Sequence, residues 1–469
     1  MKFIAKSLLL ASLGTTFAYT QNTKFQHVVV IVQENRTPDN LFHDPVLITN
    51  GADIASSGNS GGQTIPLKPR PLVTCYDLDH AHPAFKAMFD GGKMDGAGNI
   101  RVIFTPPCQP PKNPQFSYVD NSTGILNPYW YLAEQYGFAN RMFQNNQGPS
   151  FPAHQFLLSG TSAPSVPPDS YSDWFVAENP NKAAFGGVAG CTALSGEVAR
   201  EIDPNGIESP GYAPPGFNPG YPCYEHATLT DILDNAVVSW KYYSPTAGSI
   251  WTAPNAIQHM CQPNSGACTS YDWTHNVILD RKAILNDINN NNCTALAAVS
   301  WVIPDGAWSD HANMNKGLGP SWVGSIVNAI GQSNCGYWNN TAILITWDDW
   351  GGWYDHVSPP QPFRDQYELG FRVPLLVVSA YTPKGYISNV PHDFGSILHF
   401  IEVVFGPSGS QLGPIPPGTY ADTTADYLRD FFPSGQGFRP FQKIPAPHGT
   451  AYFVNYKGAS RDPDDDANE

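Results

Sequence analysis

Two pairs of oxygen-bearing side chains stand at the ends of two apolar runs: Glu34 and Asn35 after "HVVVIVQ", and Asp348 and Asp349 after "AILITW". Three carboxylates and one amide oxygen make a hard donor set of the kind that holds a divalent cation. Adjacent aspartates at a strand end repel each other unless a cation or a proton intervenes. Either pair alone also fits a solvated turn; their joint occurrence after two buried-type strands points to a metal.

A second group supplies a nucleophile. In "NQGPSFPAHQFLLSGTSA" a Gly-Pro-Ser turn opens into an apolar run, which places Ser150 on the first turn of a helix, where free backbone amides and the helix dipole favour an anion. Read alone, Ser150 is a helix cap; beside a cation its hydroxyl can ionise and attack phosphorus. His80, His311 and His356 each directly follow an aspartate. Such a pair can orient an imidazole or bring it near a phosphoryl oxygen and a leaving group.

The elements that must carry these residues are short continuous apolar runs, the pattern of a parallel sheet covered on both faces. Strands are expected at Val28 to Gln33, Val237 to Tyr243, Ala295 to Ile303, Ala342 to Trp347 and Val373 to Ser379. Helical patterns lie between them, around Ile232-Leu233, from Trp322 to Ile330 and from Ser396 to Phe405. In an open α/β sheet, ligands collect at the carboxyl ends of strands, where both acidic pairs would stand. Gly/Pro-rich stretches from Asn50 to Pro71 and Pro204 to Pro222 read as long loop insertions.

The whole chain of 469 residues carries 44 Pro, 42 Gly and a formal charge of −15, without a basic patch. That balance argues against nucleic acid; phosphate esters stay admissible if a metal supplies local positive charge. Residues 1–18 read as a secretory signal peptide cut after Ala18, which predicts a secreted or periplasmic protein, and no later run is long and apolar enough for a transmembrane anchor. Eight cysteines without a repeated Cys-x-x-Cys favour disulfides over zinc. Spacing leaves their pairing open, Cys261 with Cys268 being the shortest conceivable loop. The final residues read as a solvated acidic tail.

The landmarks "QENRTPDNLF", "DLDHAHPAFKAMFDGGKMDG", "GPSFPAHQFLLSGT", "SDHANMNKGLGPSWVGSIVNAI", "AILITWDDWGGWYDHVSPP" and "GFRVPLLVVSAYTPKGYIS" span Phe25 to about Phe405 in order. Together they resemble the phosphoesterase family of bacterial phospholipases C and acid phosphatases, in the alkaline-phosphatase-like superfamily. The resemblance implies a three-layer α/β/α sandwich with a mostly parallel central sheet, as a single domain over 19–450 followed by a tail over 451–469. It implies one divalent metal ion held by Glu34, Asn35, Ser150, Asp348 and Asp349, with Ser150 also the nucleophile and His80, His311 and His356 lining the phosphate pocket. It further implies a phosphoseryl intermediate, with His356 or His311 protonating the leaving alkoxide. Ser150 and the Asp348-Asp349 pair look closer to the acid phosphatase branch, because the phospholipase C branch often has Thr and Asp-Glu there. The additional C-terminal domains of longer phospholipases C are expected to be absent.

The expected activity is therefore hydrolysis of phosphate monoesters by a secreted metal-dependent enzyme. A phospholipase C releasing a phosphorylated head group is the runner-up, and a catalytically silent binding protein of the same fold is the third reading. The expected partner is a small phosphate ester or phospholipid head group, with no protein partner.

Overall fold

A computed structural model describes residues 24–181, 188–360, 365–407 and 410–461. The signal-peptide segment and the last eight residues of the acidic end lie outside the described residues.

Eight strands form the central sheet: β1 (His27–Gln33), β2 (Gly137–Ala139), β3 (Trp240–Tyr243), β4 (Val277–Ile278), β5 (Val299–Val302), β6 (Thr341–Trp347), β7 (Leu375–Ser379) and β8 (Tyr386–Ser388). Their order is β4-β3-β5-β1-β6-β7-β2-β8. All pairs are parallel except the two made by β7, which runs against both β6 and β2. The centre is β1 beside β6, in a register from His27↔Thr341 to Gln33↔Trp347. Val28 to Val32 and Ala342 to Ile345 are fully buried, as continuous apolar strands must be when helices cover both faces.

One helical layer contains Ser150–Ser159 packed on Phe394–Phe405 and Leu229–Asn235; the other contains Asn127–Gln135, Gly319–Gln332, Ala283–Ile288 and Thr450–Asn455. Two tryptophans stitch sheet to layers. Trp301 on β5 donates from Nε1 to the carbonyl of Leu157 at 3.2 Å, while Trp347 on β6 meets the ring of Tyr129 edge-on at 5.0 Å. The chain is thus the expected α/β fold, a mostly parallel sheet between helices.

The expected elements differ from the observed ones at their edges. The strand expected from Val237 starts at Trp240, because Val237 sits at φ 56° and is 93% exposed in the turn after the Leu229–Asn235 helix. The one expected from Ala295 covers Val299–Val302. The insertion from Asn50 to Pro71 is not all loop: Ser57–Ser60 pairs with Gln63–Pro66 as a hairpin, and Lys68–Arg70 pairs with Ser117–Val119. The stretch read as a tail from 451 opens within the Thr450–Asn455 helix, whose Phe453 is buried against Trp308 and Trp322. Apolar burial of Phe453 helps to dock a short helix that its own length would not stabilise.

All eight cysteines are paired: Cys75–Cys108, Cys191–Cys223, Cys261–Cys268 and Cys293–Cys335. No helix among the described residues is long and apolar enough to cross a membrane.

Candidate active site

Because β1 and β6 are parallel neighbours in register, the residues that follow them leave the sheet side by side. The Asp348 amide donates to the Gln33 carbonyl at 3.0 Å, and the Asn35 amide donates to Asp348 Oδ1 at 3.0 Å. Asn35 holds a left-handed backbone at φ 61°. Opposite it, Gly351 is obligatory, since a Cβ there would lie 2.4 Å from the Asn35 carbonyl oxygen. The Gly-Gly after the aspartates therefore lets the two strand-end loops close on each other.

Ser150 arrives from the helical layer as the first residue of its helix, with Pro149 at the N-cap and no side-chain cap of its own. Phe151 N–H, just inside the helix, donates to Asn179 Oδ1 at 3.0 Å. The Ser150 hydroxyl donates to Asp349 Oδ2 at 3.1 Å, and both residues are fully buried. Burial, and after it the charge of Asp348, holds the Asp349 carboxyl well above the usual carboxylate range.

His80 fixes the orientation of Asn35. Its Nδ1 lies 2.7 Å from the Leu78 carbonyl, which can only accept, so Nδ1 carries the proton and Nε2 accepts from Asn35 Nδ2 at 2.9 Å. The Asn35 amide oxygen is thereby turned the other way. His311 likewise donates from Nδ1 to the Ala312 carbonyl at 2.7 Å, and its ring centroid is 6.1 Å from that of His80. Both imidazoles act electrostatically on Asp349.

His154 joins this group without having been singled out in the sequence. Its Nε2 lies 3.4 Å from Glu34 Oε1 and 3.8 Å from Asp348 Oδ2; burial drops its pKa to about 4, against the pull of Asp348. Glu34, His154 and Asp348 can each point one ligand atom at a shared ion. The signal was available: His154 follows Ser150 by four residues, which puts both on one face of a helix.

The donor set fits a divalent cation. Asn35 Oδ1 and Asp348 Oδ2 are buried and accept no hydrogen bond among the described residues. Buried oxygens without a donor are costly, and one cation would satisfy both while neutralising the adjacent carboxylates.

His356 is engaged elsewhere. Its Nδ1 faces Asp39 Oδ2 at 2.7 Å and its Nε2 faces Asp53 Oδ1 at 3.0 Å. Burial alone would lower its pKa, but the hydrogen bond and charge of Asp39, with Asp355, lift it to about 9. Asp39, Asp355 and His356 are close enough to share an ion, yet Arg372 already lies among them. Its Nε and Nη2 reach both Asp355 oxygens at 2.8 and 2.9 Å, Nη2 also reaches Asp39 Oδ1 at 3.3 Å, and Nη1 donates to the Asp53 and Asn140 carbonyls. With its N–H groups committed in this way, the guanidinium supplies, beside the protonated His356, the positive charge of this second cluster.

The Asp-His doublets do not work as internal pairs. Asp79 accepts from Arg101 Nε at 3.3 Å, Asp310 from the Tyr129 hydroxyl at 2.8 Å, and Asp355 from Arg372, so none orients the histidine that follows it. Successive side chains on extended backbone point to opposite sides.

The phosphoesterase family model matches residues 25–407. The chain belongs to the phosphoesterase family. As a member of it, the protein is a hydrolase acting on phosphoric esters. Its relatives include "Phospholipase C B" of Mycobacterium tuberculosis, 25% identical over 86% of this chain and 78% of that protein. "Hemolytic phospholipase C" of Pseudomonas aeruginosa is 23% identical over 87% of this chain and 56% of its own length. "Non-hemolytic phospholipase C" of Burkholderia pseudomallei is 29% identical, but the match spans only 41% of this phosphoesterase and 33% of the relative. Among solved structures, a protein in the alkaline phosphatase superfamily from Vibrio parahaemolyticus aligns over 86% of this chain and 74% of its own, at 10% identity and a TM-score of 0.33. A likeness that distant adds nothing to the fold read from the strands.

Proposed function

We propose that this phosphoesterase cleaves phospholipids through a phosphoseryl intermediate on Ser150, with one divalent cation bound by Glu34, Asn35, Asp348, Asp349 and the Ser150 hydroxyl. The observation that carries the mechanism is the buried Ser150 hydroxyl hydrogen-bonded to Asp349 at 3.1 Å, at the head of a helix that faces both strand-end acid pairs. The named activity of the relatives moves the substrate from the monoester expected from sequence to a phospholipid. Four disulfides support an oxidising compartment, in keeping with a secreted or periplasmic enzyme.

Bound there, the cation would offset charge on the transferring phosphoryl group and lower the pKa of the serine hydroxyl. Asp349 holds the Ser150 proton and points the oxygen. Ser150 Oγ then bonds to phosphorus as the bond to the leaving alkoxide breaks, and the amides of the first helical turn favour the anion held there. His311, which acts on Asp349 as His80 does but does not accept from Asn35, gives the departing oxygen its proton. Water attacks phosphorus in the second step, frees Ser150 and releases the phosphorylated head group.

The test is turnover of phosphatidylcholine, bis-p-nitrophenyl phosphate and p-nitrophenyl phosphate by the purified protein, with and without chelator, beside Ser150→Ala. Head-group phosphate released from the lipid, lost on chelation and reduced at least about 1,000-fold in Ser150→Ala, is the expected result. Turnover confined to p-nitrophenyl phosphate would return the substrate to monoesters. Turnover undiminished in Ser150→Ala would remove the serine from the mechanism.

A further inference from the structure

The Ser150–Ser159 helix brings two polar groups to the strand ends, Ser150 and one turn later His154. His154 is 1% exposed, and neither of its ring nitrogens makes a hydrogen bond among the described residues. Its ring stands nearly parallel to that of Trp251, centroids 6.3 Å apart and planes 22° apart. Its Nε2 lies 3.4 Å from Glu34 Oε1 and 3.8 Å from Asp348 Oδ2. A charge-assisted hydrogen bond would be shorter, about 2.7–2.9 Å. Ligand atoms each about 2.0–2.2 Å from one ion lie roughly 3 to 4 Å from one another, and both separations fall in that range.

We infer that His154 Nε2 is a nitrogen ligand of the cation held by the strand-end acids, and that it makes the site select a borderline transition ion over Mg2+ or Ca2+. This rests on the metal reading of the proposed function and goes beyond its all-oxygen ligand set. An all-oxygen cage suits Mg2+, Ca2+ and Mn2+, whereas imidazole raises affinity for Zn2+, Co2+ and Fe2+. The neutral ring adds no charge to a site already rich in carboxylates. It also ties the cation to the helix that carries the nucleophile, so that ion and serine hydroxyl share one rigid support.

The test loads the full chain with Mn2+, measures bound metal, and reads pulsed EPR of the bound ion for coupling to an imidazole nitrogen. The coupling is expected in the native protein, retained in Ser150→Ala and lost in His154→Gln with Mn2+ still bound. Coupling that persists in His154→Gln assigns another histidine and overturns the inference. Mn2+ bound to the native protein without nitrogen coupling overturns it with no variant at all. A native protein that binds no divalent ion fails earlier, at the metal reading itself. A second measurement compares ions: His154→Gln should weaken Zn2+ at least about 100-fold and Ca2+ less than about 10-fold. Equal losses for both ions would overturn the selectivity.

Discussion

The same two strands feed two acid clusters that are built in opposite ways. Nearest the strand ends, Glu34, Asp348 and Asp349 gather, among the described residues, with Asn35, Ser150 and the weakly basic His154. Just beyond, Asp39 and Asp355 gather around Arg372, with His356 and Asp53 on the outer side. One cluster brings its own cation and becomes a structural clamp between the loops after β1 and β6. The other leaves the positive charge to come from outside, which turns a destabilising arrangement of carboxylates into a binding site. Acidic residues near a site therefore announce a metal only when no arginine has been placed among them.

Breaking the clamp should have the largest effect on the fold. Arg372→Leu leaves the buried Asp355 carboxylate uncompensated and Asp39 with His356 as its remaining cation, and should cost about 3–5 kcal/mol in chemical denaturation; a loss below about 1 kcal/mol would mean that water reaches the cluster. Next comes the dependence on added ion. A divalent cation at roughly 100 times its Kd should stabilise the native protein by about 2.7 kcal/mol, an increment that chelator removes and that survives in a folded Arg372 variant such as Arg372→Lys. Equal sensitivity of both clusters to chelator would erase the contrast between them. Smaller still, Asp349→Asn should stabilise the metal-free protein by on the order of 1 kcal/mol, since it relieves repulsion with Asp348, while abolishing stabilisation by the ion.

A further effect is on pH dependence. The His356 pKa stands at about 9, above the ordinary 6.5, so its contribution to stability is complete below pH 6.5 and fades as pH rises through 9. Native protein and His356→Gln should differ in unfolding free energy at pH 6 and converge above pH 9. A gap that persists at pH 10 would show that the ring matters by packing rather than by charge.

Much of this was legible in the sequence. The runs Val28 to Val32 and Ala342 to Trp347 were readable because strands buried on both faces have no polar alternation to hide them. Residues at their ends could be paired because ligands collect where parallel strands stop. Strands of two or three residues such as β2, β4 and β8 carry too few positions for any period to register, and their pairing is set by the neighbours they meet. His154 escaped notice because, inside "SFPAHQFLL", it reads as one polar residue on a buried helix; only its distance to Glu34 and Asp348 gives it meaning. His356 misled in the opposite direction, since its adjacent aspartate turns to Arg372 and its own partners lie more than 300 positions away at Asp39 and Asp53.

The docking of Phe453 has a practical side. Its helix is only the start of a seam: Arg281 reaches the Gly458 and Ala459 carbonyls, Lys282 donates to the Val454 and Tyr456 carbonyls, and the Gly306 amide donates to the Arg461 carbonyl, five residues before His311. Trimming the chain ahead of Thr450 for crystallisation, or nicking it there during purification, would uncover Trp308 and Trp322 and loosen the loop that presents His311. A purification handle is better carried after Arg461, and a preparation that has lost these residues should be judged by mass before its turnover is.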